Sequence, residues 1–247
     1  MIKQKKPVVL SKRLGAIAEM LSPGGRVVDV GCDHGFLDIY LVQTGKVAGA
    51  LAMDVRKGPL SAASEHVREA GFEGVIETRL SDGLEAYHLG EGDKLVCAGM
   101  GGKLMQRILT AYPEKTADFE EMILQPQSEL REFRAFLRDN GFQVTEERAV
   151  LEDGKFYFPM KVVRGEKGVS QECSDRDLEV YDRYGEKLIQ SKNPVLLQFL
   201  LGQERILGGV REGLIGNASQ LSEDGKNRLL EVENEWEILQ RAISLVK

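Results

Sequence analysis

Short apolar segments alternate with amphipathic ones over the first part of the chain. The apolar segments are Arg26–Val30, Val47–Met53, Val75–Arg79, Asp93–Ala98 and Glu121–Leu124. The amphipathic segments, which repeat apolar residues at helical spacing, are Gly35–Gln43, Pro59–Ala70, Lys103–Ala111 and Ser128–Asn140. Near-continuous apolar strands that alternate with helices are typical of a parallel sheet covered on both faces. The pattern therefore predicts a doubly wound, mainly parallel α/β domain.

The alternation gives way to a different pattern after the last of these helices. The segments Phe142–Leu151 and Lys155–Val163 flank an Asp-Gly dipeptide, which is a strong hairpin turn signal. We therefore expect the sheet to end in an antiparallel pair. Beyond Arg164 the polar segment GEKGVSQECSD reads as a linker.

The rest of the chain has helical patterns and no strand pattern. Val195–Ile215 is apolar at helical spacing, and Ser222, followed by two acidic residues, is a typical helix start. In the second helix the apolar residues at alternating spacings of three and four are Leu229, Val232, Trp236, Leu239, Ile243 and Val246. This seam predicts an antiparallel coiled-coil hairpin, with Trp236 as a packing residue in preference to a base-stacking one. We expect one domain over residues 1–164 and a helical coiled-coil hairpin domain over residues 165–247.

Composition narrows the class of protein. The chain has 247 residues, 42% of them hydrophobic, so it can build a core without disulfides or metals. Its three cysteines are far apart, and we expect reduced thiols and no metal site. No apolar run has the length of a membrane span, and the N-terminus lacks the features of a signal peptide, so we expect a cytoplasmic protein. The net charge of −6 argues only weakly against a nucleic-acid partner, because local patches bind phosphate and basic residues cluster near the start.

The turn after the first predicted strand reads DVGCDHG. Ligands of doubly wound sheets bind beyond the carboxyl ends of the strands, where this turn is expected to lie. Dinucleotide sites use GxGxxG there so that a pyrophosphate can reach the helix N-terminus, but here Cys32, Asp33 and His34 stand between Gly31 and Gly35. A carboxylate repels a pyrophosphate and suits an ammonium group or a hydroxyl. The charge pattern therefore favours S-adenosylmethionine, which carries no phosphate, although Asp33 could instead cap the following helix.

Other candidate groups follow the next strands. Asp54 comes directly after the second apolar segment, where an acid can accept from ribose hydroxyls, and Asp82 in RLSDGL could accept from an adenine amino group or hold a turn. The fourth strand ends in CAGMGG, without an acid or an amide. The acceptors expected beside a substrate ring are therefore the backbone carbonyls at Gly99 and Met100 and the side chain of Gln125 in LQPQ.

Seven motifs follow one another along the chain: LSKRL, DVGCDHG, MDVRKGPL, RLSDGL, GMGG, ILQPQ and GKFYF. With this set the chain resembles the bacterial tRNA (adenine-22-N1)-methyltransferases over nearly its whole length. The resemblance implies a Rossmann-like class I methyltransferase domain, S-adenosylmethionine as the methyl donor, and a C-terminal coiled-coil domain that helps to hold tRNA. Carried over by motif, the cofactor-binding residues are Arg13, Gly31, Asp33, His34, Gly35, Asp54, Ser81, Asp82, Gly83, Gly99 and Met100. One departure is Asp38, in the first predicted helix, where this family usually has Pro in YLPIYL.

The chemistry that the resemblance implies needs no obligatory general base. Adenine N1 is a neutral nucleophile, so the protein has to position the base, exclude water and stabilise a cationic product. Gly99, Met100 and Gln125 are the candidate residues for this task, and His34 and His66 are the histidines that could be considered as bases.

Two other functions remain open from the sequence. One is a methyltransferase that acts on another substrate, but a small substrate would not need the helical tail. The other is an RNA-binding protein without activity, but such a protein would not need an acid at the end of each of three strands. A nicotinamide oxidoreductase is disfavoured because GxGxxG is missing. We expect tRNA as the partner, no membrane and no obligatory protein partner. The candidate phosphate contacts on the tail are Lys187, Lys192, Arg205 and Arg211.

Overall fold

The structure, a computed structural model, describes residues 7–165, 174–217 and 221–247. The chain divides into two compact units, Met1–Val169 and Ser170–Lys247. Most of the predicted linker after Arg164 lies outside the described residues, as do Lys3, Lys5, Lys6 and Cys173. The domain boundary placed after Arg164 therefore stays a prediction.

A seven-stranded sheet forms the centre of the first unit, in the order β3-β2-β1-β4-β5-β9-β6. The first five strands in this order run parallel, and β9 is antiparallel to both of its neighbours. The strands of the unit are β1 (Arg26–Val30), β2 (Gly49–Asp54), β3 (Ile76–Leu80), β4 (Lys94–Met100), β5 (Glu121–Pro126), β6 (Phe142–Glu147), β7 (Val150–Glu152), β8 (Lys155–Tyr157) and β9 (Met160–Arg164). The predicted doubly wound, mainly parallel sheet is confirmed, and its strand order reverses between β1 and β4.

Helices cover both faces of the sheet. They are α1 (Lys12–Met20), α2 (Phe36–Gln43), α3 (Lys57–Ala70), α4 (Gly102–Ala111), α5 (Pro113–Thr116) and α6 (Leu130–Asp139). Val28 of β1 packs in the cluster that contains α4 and α6, whereas its neighbour Val27 packs with α1 and α2. The central strands β1, β2, β4 and β5 are mostly apolar because helices cover both of their faces, whereas the edge strands β3 and β6 carry several polar, partly exposed residues. Of these helices, α1 and α5 were not predicted.

The predicted hairpin at the end of the sheet is present but interrupted. Asp153 and Gly154 both have left-handed backbones, with φ of 48° and 75°, as a two-residue turn of this kind requires. The tip of the hairpin forms a separate two-stranded sheet of β7 and β8, and only β6 and β9 join the main sheet. The pairing of β6 with β9 continues through a register shift between Val144 and Glu146 as far as Glu147 and Met160. The missing N–H of Pro159 accounts for the break that follows.

The second unit consists of helices in the part that is described. They are α7 (Asp175–Tyr184), α8 (Glu186–Gln190), α9 (Pro194–Gly216) and α10 (Glu223–Val246). The predicted helix start at Ser222 is correct, since its hydroxyl accepts from the N–H of Gly225 at 3.2 Å. Helices α9 and α10 pack on each other as the predicted hairpin, whereas α7 and α8 were not predicted. Among the described helices, none combines the length and apolarity that a membrane crossing needs.

The predicted seam of α10 is largely buried. Val232, Leu239, Ile243 and Val246 are buried, and Leu229 and Trp236 are half-buried. Ile238 and Ala242, which lie off the seam, are also buried because α7 and α8 pack on a second face of α10.

Trp236 packs across the hairpin. A Cβ atom added to Gly208 of α9 would lie 3.3 Å from its ring, and the guanidinium of Arg211 lies 5.4 Å from the ring centroid. Arg211 also forms an ion pair with Glu233 at 3.0 Å. Lys187 likewise lies 3.8 Å from the carboxylate of Glu186. Two of the four predicted phosphate contacts are therefore engaged within their own unit.

Candidate functional site

A cavity of about 590 Å³ opens at the carboxyl ends of the parallel strands, where the strand order reverses. Small-molecule sites have this size, and in doubly wound sheets they lie at this place. Ten of the eleven residues predicted to bind the cofactor line the cavity: Arg13, Gly31, Asp33, His34, Asp54, Ser81, Asp82, Gly83, Gly99 and Met100.

The turn between β1 and α2 is held in a left-handed conformation at three positions. Gly31, Asp33 and Gly35 have φ of 81°, 51° and 71°. Asp tolerates this region better than most residues, so the chain can place a carboxylate where a dinucleotide site has glycine. Gly35 is the N-cap of α2 and does not line the cavity, and no side chain caps this helix. The helix-capping alternative for Asp33 is therefore wrong.

Gly31 allows the turn to approach β4. A side chain at this position would collide with the methyl group of Met100, and its left-handed backbone already favours glycine. The N–H groups of Gly31 and Cys32 both donate to the carbonyl of Met53, at 2.7 and 3.0 Å. These bonds fix the turn to the end of β2, beside Asp54.

The acids at the ends of β2 and β3 differ in environment. Asp54 is buried and accepts from the N–H of Arg56 at 2.8 Å. Asp82 is exposed, and both of its oxygens pair with Arg107 on α4, at 2.8 and 3.0 Å. The Arg107 guanidinium, through these hydrogen bonds, holds the pKa of Asp82 below its usual value. Both acids line the cavity, and the lowered pKa keeps Asp82 an ionised acceptor near neutral pH.

Ser81 and Gly83 shape the turn that carries Asp82. The Ser81 hydroxyl donates to the carbonyl of Gly83 at 2.8 Å and accepts from the N–H of Ala86 at 3.0 Å. The predicted residues Ser81, Asp82 and Gly83 therefore form one compact loop at the cavity wall. The serine hydroxyl is already engaged in hydrogen bonds to backbone groups of this loop.

A bulge shapes the end of β4. The register with β5 shifts between Ala98 and Met100, so Gly99 is the extra residue, with φ of 80°. The carbonyl of Met100 accepts from the N–H of Gln127 at 2.8 Å. The amide side chain of Gln127 and the guanidinium of Arg13 lie nearest to the open side of Gly99, at 3.6 and 3.7 Å from a Cβ atom placed there.

The structure places Gln125 behind this wall. Gln125 is fully buried, accepts from Arg13 at 3.1 Å, and donates to the carbonyl of Pro126 at 3.2 Å. It does not line the cavity, whereas Gln127 does. The amide that reaches the site is therefore that of Gln127. Gln125 does not accept from the substrate directly, as was expected from the sequence, but supports Arg13 through a hydrogen bond.

An aromatic group stands beside the turn. Phe36 is 41% exposed, lines the cavity, and stacks on His66 with ring centroids 4.7 Å apart. His66 Nδ1 lies 2.9 Å from the backbone carbonyl oxygen of His34. His66 thus packs against the turn, while Phe36 presents an exposed apolar ring next to the acids.

The sequence interpretation missed one acid of the cavity. Asp29, next to the carboxyl end of β1, is buried and lines the site. Burial, and then the nearby charge of Asp54, raises the pKa of Asp29 to about 7. The signal was available in the sequence VVDV, because a carboxyl group within an apolar buried strand has to be explained by function or by a partner.

Comparison with known proteins identifies the family. A family of methyltransferase domains matches residues 10–160. The tRNA (adenine(22)-N(1))-methyltransferase of Bacillus subtilis is 31% identical over 234 residues, which cover 95% of this chain and 97% of that protein.

Solved structures agree with this assignment. The B. subtilis m1A22 tRNA methyltransferase TrmK matches with a TM-score of 0.81 at 31% identity, covering 96% of this chain and 99% of that one. A Streptococcus pneumoniae candidate tRNA (m1A22) methyltransferase, solved in complex with S-adenosyl-L-methionine, matches with a TM-score of 0.81 at 30% identity, covering 95% of this chain and 100% of that one. On the extent of these matches, together with the geometry of its site, the chain belongs to the tRNA (adenine(22)-N(1))-methyltransferase family.

Proposed function

We propose that this protein methylates N1 of adenine 22 in tRNA, with S-adenosylmethionine as the donor. The observation that carries the proposal is the cavity at the strand-order reversal, which is lined by acids and by glycines in left-handed conformations. Four acids and three arginines line the cavity, and two of the arginines, Arg56 and Arg107, already pair with Asp54 and Asp82. The lining therefore suits an ammonium group and hydroxyls better than a phosphate. The names of relatives that span nearly the whole chain support the same reaction.

The chain's own residues fit this cofactor. Asp54, buried at the end of β2, is assigned to the ribose hydroxyls, and Asp82 to the adenine amino group. Asp33 and Asp29 give the floor of the cavity the negative charge that an ammonium group requires. The cofactor supplies a methyl group bonded to a sulfonium, which a neutral ring nitrogen can displace.

The adenine of the substrate is assigned to the side of the cavity next to Gly99. The glycine leaves room for a flat ring, its carbonyl can accept from the 6-amino group, and Gln127 offers a side-chain amide to the same ring. Phe36 provides an exposed ring on which a base can stack. None of these groups has to remove a proton, because adenine N1 attacks through its free lone pair.

The helical second unit is assigned to tRNA docking. Lys192 and Arg205 are exposed on it and are available for phosphate contacts, whereas Arg211 pairs with Glu233. We place the reaction in the cytoplasm, where tRNA is modified.

The test is a methylation assay with matched tRNA transcripts. Purified protein is incubated with methyl-labelled S-adenosylmethionine and either a tRNA that carries adenine 22 or the same tRNA with guanine at that position. After digestion to nucleosides, label in 1-methyladenosine from the first transcript alone is the expected result. Label at another nucleoside would point to a methyltransferase with a different target. The absence of label despite cofactor binding would point to an idle RNA-binding protein.

A further inference from the structure

Arg107 of α4 and Asp82 form a two-pronged ion pair at the wall of the cavity. The Nη1 and Nη2 atoms of the arginine donate to the two carboxyl oxygens of Asp82, at 3.0 and 2.8 Å. Both side chains line the cavity, and both are exposed. In the part of the chain that the structure describes, the Asp82 carboxylate makes no other hydrogen bond. Its orientation therefore depends on Arg107.

Neither the stability of the fold nor the shape of the loop explains this pair. An ion pair between exposed side chains adds little to stability, because water screens it. The loop is held by other contacts: the hydroxyl of Ser81 donates to the carbonyl of Gly83, and the N–H of Ser81 donates to the carbonyl of Asp54 at 3.0 Å. What Arg107 fixes is thus the plane of the Asp82 carboxylate and not the path of the backbone.

The ion pair leaves acceptor capacity on Asp82. An ionised carboxylate has about four acceptor sites on its two oxygens, and a two-pronged guanidinium occupies one site on each oxygen. The other sites remain for a donor that enters the cavity. Because Arg107 also offsets the negative charge, the oriented acceptor suits a neutral N–H donor, such as an amino group on a ring, better than a second cation.

Apolar side chains stand beside this acceptor. Leu104 and Ile108 lie three residues before and one residue after Arg107, so one face of α4 brings all three to the cavity. Val55, which follows β2, lines the same cavity. Val55 and Leu104 are both exposed, and covering such apolar surface with a flat ring is favourable. This end of the cavity therefore combines apolar contacts for the faces of a ring with an acceptor for its amino group.

We propose that Arg107 is a positioning residue that orients the Asp82 carboxylate to accept from the 6-amino group of the cofactor's adenine, and that it thereby makes the cavity selective for adenine over purine rings without that group. A lysine cannot replace it, because an ammonium group is a point charge and does not hold both carboxyl oxygens in one plane. This role of Arg107 rests on the proposed function for the identity of the cofactor.

The test is calorimetry with two ligands: S-adenosylhomocysteine, and the analogue in which hydrogen replaces its 6-amino group. The ratio of the two affinities isolates the contact to the amino group, because the rest of the ligand is the same. The wild-type protein should bind S-adenosylhomocysteine at least about tenfold more tightly than the analogue, as expected for a hydrogen bond to a charged acceptor.

Two variants assign this selectivity to Arg107. Arg107→Lys keeps the charge and loses the fork, and Arg107→Met keeps an unbranched side chain without a donor. In both, the affinity ratio should fall below about threefold, through weaker binding of S-adenosylhomocysteine and not through tighter binding of the analogue. In an Asp82→Ala background, Arg107→Lys should have no further effect on the ratio, because the group that it positions is gone.

The matched control is Arg68→Lys. Arg68 of α3 is 58% exposed, as Arg107 is, and it also donates through two nitrogens to one carboxylate, that of Glu65. Neither Arg68 nor Glu65 lines the cavity. This variant should therefore keep the wild-type affinity ratio.

Each other outcome counts against the role of Arg107 in a different way. A wild-type ratio that persists in both Arg107 variants would refute it. Equal affinities of the wild-type protein for the two ligands would also overturn it, while methylation of tRNA at adenine 22 would still uphold the proposed function. A wild-type protein that does not bind S-adenosylhomocysteine at all would overturn both.

Discussion

The guanidinium of Arg13 donates to the side-chain carbonyl of Gln125, 3.1 Å away, and Gln125 is itself completely buried. Arg13 also lies over the ring of Tyr157, 5.6 Å from its centroid. The arginine is therefore fixed from two sides at the edge of the cavity next to Gly99. Gln125 acts on the site through Arg13, and this relationship can be measured.

Gln125→Met should lower kcat/KM for tRNA by about 10- to 100-fold, corresponding to the roughly 1–3 kcal/mol for a lost hydrogen bond to a charged group. The affinity for S-adenosylmethionine should change by less than about threefold, below that range, because Gln125 does not line the cavity. A double-mutant cycle with Arg13→Met separates positioning from direct contact, because Gln125→Met should have almost no further effect once Arg13 is gone. Additive losses would mean that Gln125 contacts the substrate independently.

Gly31→Ala should weaken cofactor binding, because the added methyl group pushes the flexible end of Met100 from its place at the wall of the cavity. The control is Gly24→Ala. Gly24 has a nearly identical backbone, with φ of 83°, but no atom within 4 Å of an added Cβ. Both variants carry the backbone strain, of about 1 kcal/mol, so both should lose similar thermal stability. Equal cofactor affinities in the two folded variants would contradict the assigned role of Gly31.

Asp54→Asn should weaken S-adenosylmethionine binding by roughly 1–3 kcal/mol, the range for a hydrogen bond to a charged acceptor. The asparagine oxygen can still accept from the N–H of Arg56, so the turn should keep its shape. Isothermal titration gives the affinity, and a thermal melt checks the fold. A folded variant that binds the cofactor as tightly as the wild type would reject the contact to the ribose.

The architecture of the first unit could be predicted because each buried strand is apolar on both faces, and the helices between the strands have the regular spacing of an amphipathic surface. Helices α7 and α8 could not be predicted in this way. Their buried residues, such as Val180 and Leu188, are few and are set among charged residues. What stabilises these helices is packing against α10, which a local pattern does not contain.

The site was predicted less completely for a related reason. The acids that follow strands were visible as motifs, but the environment of Gln125 depends on α1, which packs over the end of β5 and was not predicted. Asp38 looked inconsequential within a helix. Only the fold shows that its side chain is fully buried, and this burial, with the nearby charge of Asp29, raises its pKa.

The last prediction concerns tRNA docking by the second unit. Arg205→Glu and Lys192→Glu each reverse a charge at an exposed position of the helices, and each should lower tRNA affinity and reduce the salt dependence of binding by about one phosphate contact. Cofactor affinity should be unchanged. Lys46→Glu is the matched control. It reverses the same charge at a residue that precedes the amino end of β2, whereas the cavity lies at the carboxyl ends of the strands. If all three variants lose tRNA affinity alike, overall charge and not a docking surface governs binding. If neither tail variant has an effect, the tRNA contacts of this unit lie elsewhere or the unit serves another purpose.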